Sequence, residues 1–113
     1  MMQPEEPAMG PTELRTALDR GGVVLLDVRK QPAYVAAGRR IEGAEWRDPL
    51  ATADWMTSIP RGALIVAYCV HGHEVSRGVR DTLIESGYDA RILRGGYAAW
   101  VEAGGATEPN PSA

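Results

Sequence analysis

The chain has 113 residues, 44% hydrophobic and 24% charged, which suits one compact domain with a single core and leaves no room for a second. A formal net charge of -3 argues against nucleic acid or an anionic membrane as a partner held by bulk electrostatics, and no uninterrupted apolar run is long enough to cross a bilayer. One cysteine cannot close an internal disulfide, so a reducing compartment, the cytoplasm, is the expected setting.

In chain order, residues 1–10 carry acids and prolines where a signal peptide would need a basic and then apolar stretch, and they read as a flexible segment. Thr12 to Arg20 places Leu14, Ala17 and Leu18 on one side and stops at Gly21-Gly22, which predicts a helix. Val23-Val24-Leu25-Leu26 is a continuous branched run, as expected of a strand buried on both faces. Pro32 to Ala37 predicts a short helix, Ala44-Glu45-Trp46 a short strand, and Pro49 to Thr57 another helix. Leu64-Ile65-Val66-Ala67 repeats the buried-strand pattern. After it, Val75, Val79 and Leu83 recur at four-residue steps in a helix over Val75 to Ser86 that stops at Gly87. Ala90-Arg91-Ile92-Leu93 is a further strand, and Tyr97 to Ala103 a last helix before Gly104-Gly105. Residues 106–113 lack large aliphatic side chains and read as a flexible tail, which leaves 11–105 as the ordered domain. Strands alternating with helices give βαβ units. The expected class is α/β, in three layers, with a central parallel sheet of four to five strands and helices on both faces.

In such a sheet the carboxyl ends of the strands and the loops beyond them converge on one edge. Asp27-Val28-Arg29 follows the first strong strand, Cys69 to Glu74 follows the next, and Arg94-Gly95-Gly96 follows Leu93. The only cysteine and the only two histidines fall within five consecutive positions, Cys69 to His73. A metal centre is not expected there. Cys69, His71 and His73 alternate along a tight loop that would splay them apart, and no other cysteine or histidine exists to complete a tetrahedral set.

The order Leu25-Leu26-Asp27-Val28-Arg29, Ile41-Glu42-Gly43-Ala44, Tyr68-Cys69 with Gly72, Gly87-Tyr88 and Leu93-Arg94-Gly95-Gly96-Tyr97-Ala98-Ala99-Trp100 resembles a single-domain rhodanese over nearly the whole ordered chain. The resemblance implies a rhodanese-like fold and a sulfurtransferase. Cys69 would take a sulfane sulfur from thiosulfate or a persulfide donor, hold it as a persulfide, and pass it to cyanide, a thiol or a protein. It implies no cofactor and no metal. The partners would be small sulfur-containing anions or thiols, extending to a sulfur-carrying protein, with a monomer favoured.

The loop chemistry agrees. A thiolate is the nucleophile, and an ordinary cysteine near pKa about 8.5 is mostly protonated at neutral pH, so nearby positive potential is required. Inward-pointing amides of Val70, His71, Gly72, His73, Glu74 and Val75 would form an anion cradle backed by the positive end of the following helix, with Gly72 allowing the turn. Asp27 suits the anchoring of loop amides. Arg29 and Arg94 are candidates for added positive potential, and for Arg29 a purely structural salt bridge is an equal reading. His71 and His73 are expected to face solvent at the rim, tuning potential more than moving protons.

Three positions depart from the family's commoner pattern. Glu74, at the end of the loop, stands where Arg, Lys, Ser or Thr is frequent, and a carboxylate facing the sulfur would oppose the thiolate. Directed outward, at the helix start, it would be nearly neutral for the chemistry. Ala33 before Tyr34 and a longer connection through Arg39-Arg40 alter the rim. Two other functions remain in view: a noncatalytic binding or redox-sensor module, and a cysteine-dependent phosphatase or arsenate reductase, which would need a terminal arginine to hold a tetrahedral oxyanion.

Overall fold

The computed structural model describes residues 6–111. Helix α1 (Pro11–Arg20) precedes the strand Val23–Asp27; α2 is Gln31–Ala37, α3 Thr52–Trp55, α4 Glu74–Glu85 and α5 Gly96–Glu102. The strands are β1 (Ala8–Met9), β2 (Val23–Asp27), β3 (Arg39–Ile41), β4 (Glu45–Trp46), β5 (Leu64–Tyr68), β6 (Asp89–Leu93) and β7 (Thr107–Pro109). Five strands form one sheet in the order β1-β6-β5-β2-β4, and every pairing in it is parallel. The expected α/β architecture is present.

Alternation along the strands divides the core into two layers, because successive side chains leave a sheet on opposite faces. Leu25 and Val66 join Leu14, Ile41 and Trp100 on one face; Leu26, Ile65 and Ala67 join Val79, Leu83 and Tyr88 on the other. A strand that buries both faces must read as an unbroken apolar run, which is why β2 and β5 were legible. Strand β2 connects toward β4 on one side and β5 toward β6 on the other, so the connections leaving these two paired strands diverge at the carboxyl edge. That divergence opens the crevice where α/β sheets bind ligands.

Both flexible ends need correction. Within residues 1–10, the first five lie outside the described residues, but Ala8–Met9 pairs with Ile92 and Leu93, and Met9 is buried. The methionine supplies the apolar anchor that the polar composition around it obscured. Within residues 106–113, the last two lie outside the described residues, and Thr107–Pro109 pairs antiparallel with Arg39–Ile41. Here the tail is ordered by main-chain hydrogen bonds, by the Trp100 indole N–H donating to Ala106 O at 2.9 Å, and by Arg40 with Glu108 at 2.7 Å. None of these needs an aliphatic side chain from the tail. The helix expected over Pro49 to Thr57 is the single turn of α3 between two 3-10 turns, Pro49–Ala51 and Met56–Ser58.

Candidate active site

Cys69 is the residue immediately after β5, at the head of a five-residue connection to α4. What shapes that connection is the start of α5. The first N–H groups of a helix have no intrahelical acceptor, and here Tyr97 N–H donates to Cys69 O at 2.9 Å and Ala98 N–H to Val70 O at 3.0 Å. Those two bonds pin the start of the loop against α5, and the Gly72 and His73 amides farther along it face the sulfur. The approach is close enough to require glycine. Gly72 and Gly96 have φ of 74° and 64°, and a Cβ on Gly96 would stand 2.5 Å from Cys69 O.

The sulfur is held from the α4 side as well. Ser76, wholly buried in the first turn of α4, has its Oγ 3.2 Å from Cys69 Sγ. Burial pushes the thiol pKa up. The Ser76 hydroxyl and the backbone N–H groups of Ser76, His73 and Gly72 outweigh that effect and bring it below its ordinary value. The amide cradle thus draws on two positions of the expected 70–75 loop, His73 and Gly72, and on Ser76 beyond it. Ser76 is the residue that sequence reasoning missed. Its signal was helical spacing: with Val79, Arg80 and Leu83 it lies on the buried stripe of α4.

Cys69 lies in the wall of a cavity of about 510 Å³ lined also by Arg29, Lys30, Val70, His71, His73, Glu74, Val75 and Arg77. His71 and His73 are exposed, with ring centroids 6.2 Å apart. Glu74 is the first residue of α4 and exposed, so its carboxylate sits at the favourable end of the helix dipole as well as at the rim. Among the described residues no group of three or more His, Cys, Asp or Glu side chains is arranged to hold a metal ion. A cavity of similar size, about 520 Å³, lies between α1 and the starts of β2 and β5. It has no thiol or imidazole in its lining, and volume alone does not mark a site.

Asp27 and Arg29 form a buried frame behind the cavity. The Arg29 guanidinium donates to Asp27 through Nε and Nη2, the latter at 2.6 Å, and to Arg39 O at 2.7 Å; its backbone N–H also donates to Asp27. Tyr68 O–H donates to Asp27 at 2.8 Å and accepts from Ile41 N–H. Burial and then the Asp27 carboxylate push the Tyr68 phenol far above its usual range, so it stays protonated and keeps donating. Burial would lower the Arg29 pKa, but the Asp27 carboxylate overcomes it and raises it. Of the two readings of Arg29, the geometry supports the structural salt bridge: the cation is neutralised by Asp27 and lies 4.4 Å from the Tyr97 ring centroid. Arg94 departs from expectation. Its side chain is exposed, extends toward Glu13 of α1 at 3.9 Å, and does not line the cavity. It follows a strand end as expected, but that strand lies beside β1, and the side chain turns outward over α1.

The rhodanese-like domain profile matches residues 10–103. The chain is 33% identical over 91 residues to thiosulfate sulfurtransferase GlpE of Pseudomonas fluorescens (strain SBW25), covering 80% of this chain and 81% of that protein. Among solved structures, the crystal structure of the Alr3790 protein from Anabaena sp. superposes with a TM-score of 0.77 at 28% identity, over 89% of this chain and 80% of that one. A full-length protein from Lactobacillus plantarum superposes with a TM-score of 0.84 at 21% identity, over 92% and 88% of the two chains. No helix among the described residues is long and apolar enough to cross a membrane.

Proposed function

The chain belongs to the rhodanese-like domain family, and on that premise we propose that it is a sulfurtransferase acting through a persulfide on Cys69. The observation that carries the reading is the sulfur itself: a thiol with lowered pKa, facing a cavity, hydrogen-bonded by one hydroxyl and by several backbone N–H groups. Such donors stabilise an anion wherever it stands on that sulfur. They serve the attacking thiolate, the persulfide anion that replaces it, and the thiolate that returns.

With thiosulfate as donor, the Cys69 thiolate attacks the outer sulfur. A sulfur–sulfur bond forms to Cys69, the bond inside thiosulfate breaks, and sulfite leaves with the electron pair. A thiophilic acceptor then attacks the outer sulfur of the persulfide and releases the Cys69 thiolate. Neither step needs a metal or a proton relay, consistent with the exposed, peripheral placement of His71 and His73. The cavity accommodates thiosulfate and larger persulfides alike, and Glu74 at the rim favours donors with less concentrated negative charge.

The test is mass spectrometry of the intact protein after incubation with thiosulfate or with glutathione persulfide. One added sulfur atom on the wild type, absent from Cys69→Ser, is the expected result. No adduct with either donor would overturn the proposal and leave a binding or redox-sensing role for the same cysteine.

A further inference from the structure

Three Lys or Arg side chains line the Cys69 cavity, and two of them are already committed to carboxylates. Arg29 is paired with Asp27 at 2.6 Å. Arg77 is paired with Glu6 at 2.6 Å, which ties it to the segment leading into β1. Lys30, the N-cap position of α2, is exposed, and among the described residues it has no carboxylate partner. An anion reaching Cys69 therefore meets, besides the exposed Glu74 carboxylate of the same lining, one ammonium group that is not tied to a carboxylate.

Lys30 also stands at a junction. It lines both the 510 Å³ cavity and a second groove of about 300 Å³ that runs between Pro49-Leu50 and the outer face of α4. Val75 is the other residue common to the two, so the groove adjoins the cavity at Lys30 and Val75. Leu50 at its far side is 86% exposed and offers apolar surface. Cavities of about 300–1,000 Å³ are the size that holds drug-sized molecules, whereas thiosulfate is a compact tetrahedral anion that occupies only the region next to the sulfur. The remaining space has an apolar edge and one free cation, a combination that suits a short carbon chain ending in a carboxylate.

We propose that Lys30 is a specificity-determining residue that selects thiols, and their persulfides, bearing a carboxylate a few bonds from the sulfur. The proposal rests on the sulfurtransferase reading for the direction of the chemistry: the acceptor thiolate attacks the outer sulfur of the Cys69 persulfide, a new sulfur–sulfur bond forms, the bond to Cys69 breaks, and Cys69 leaves as thiolate. There is no net oxidation or reduction. Lys30 takes no part in these bonds. Its ammonium pairs with the acceptor carboxylate and places the attacking sulfur.

The experiment compares two acceptors of equal chain length, 3-mercaptopropionate and 3-mercaptopropanol, in transfer from the persulfide of the wild type and of Lys30→Gln, Lys30→Glu and Arg20→Gln. Arg20 ends α1 at the opposite edge of the sheet and controls for net charge. A second arm measures Cys69 alkylation by iodoacetate and by iodoacetamide, which differ in the same way and require no sulfur transfer. The wild type should favour the carboxylate in both arms by about fivefold relative to Lys30→Gln, the scale of one partly exposed ion pair. Lys30→Glu should reverse the preference, and Arg20→Gln should keep it. Equal ratios in wild type and Lys30→Gln would overturn the assignment, as would an equal loss in Arg20→Gln. If no persulfide forms, the sulfurtransferase reading fails, and the alkylation ratio still decides whether Lys30 reads carboxylates at the sulfur.

Discussion

Cys69 Sγ and Ser76 Oγ stand 3.2 Å apart, joined across the connection from β5 into the first turn of α4. The hydroxyl can donate to the sulfur once the thiol has lost its proton, and a bond to the charged sulfur is stronger than the one the neutral thiol makes. Ser76→Ala should raise the Cys69 pKa. A hydrogen bond to a charged acceptor is worth about 1.5 kcal/mol at its lower end, equivalent to roughly a tenfold effect. Alkylation by iodoacetamide at neutral pH should slow accordingly, while Ser76→Thr, which keeps a hydroxyl, should lose less. The midpoint of the wild-type pH profile should lie below the ordinary thiol value, and that of Ser76→Ala should move to higher pH.

Asp27 is fully buried and is the anchor for Arg29 and Tyr68 together. Asp27→Asn leaves the Arg29 guanidinium buried without its counter-charge, and breaking a buried pair from one side costs about 3–5 kcal/mol. The expected result is a large fall in the urea midpoint with little change in slope. Asp27→Asn combined with Arg29→Met should be less damaging than Asp27→Asn alone, because the orphaned charge is gone. A double variant at least as unstable as the single would mean that the frame depends on the individual hydrogen bonds, including those to Arg39 O and from Tyr68.

Gly96 makes the approach of α5 to the Cys69 loop possible. Its φ of 64° is in the left-handed region, and an added Cβ would meet Cys69 O, Val70 O and Gly72 N at 2.5–2.7 Å. Backbone strain of this kind costs about 1–3 kcal/mol before any steric displacement is counted. Gly96→Ala should therefore lower stability by at least that much and, by displacing the loop carbonyls, turn the cradle amides away from the sulfur. A Cys69 alkylation profile shifted toward an ordinary thiol, in protein that remains folded by circular dichroism, is the expected signature. Gly104→Ala is the contrasting case: its φ is also positive, but nothing lies within 4 Å of the added Cβ, so the cost should be strain alone with an unchanged thiol.

Sequence reading reached the parts of this molecule that repeat a local rule. Strands β2 and β5 carry unbroken apolar runs because both their faces are covered, and α4 carries its four-residue steps because one face packs on the sheet. The short elements β1, β3 and β7 are held by pairing with distant residues, Ala8 with Ile92 and Ile41 with Thr107, and pairing leaves no periodic trace in a strand of two or three residues. The site divides in the same way. Cys69 and the position of its loop followed from strand and helix boundaries. Ser76 lay hidden because a small polar residue on a buried stripe reads as tolerated, not as functional, until the sulfur is seen beside it. Arg94 misled because the end of a strand fixes where a residue starts from and not which way its side chain leaves.

Glu6 joins the N-terminal segment to α4 by accepting from Arg77 and Arg80, at 2.6 and 2.7 Å. The hydrogen bond from Arg80 is the main cause that lowers the Glu6 pKa below its ordinary value of 4.5, against a smaller opposing effect of burial and with further help from Arg77. A carboxyl group whose folded-state pKa is depressed stabilises the fold above its unfolded pKa and loses that contribution as pH falls through the folded one. Glu6→Gln should thus be less stable than the wild type at neutral pH, by about 1 kcal/mol, because the Glu6 carboxylate is itself open to solvent although Arg80 is buried. The difference should shrink as pH drops below 4.5 and vanish once Glu6 is protonated in the folded protein. Urea unfolding of both proteins across that range measures it, and added salt at neutral pH should narrow the gap as well. A gap that persists at acid pH would assign the stabilisation to packing of the segment against α4. In that case Glu6→Gln should also leave the Arg77 side of the Cys69 cavity unaltered, with the iodoacetate-to-iodoacetamide ratio at its wild-type value.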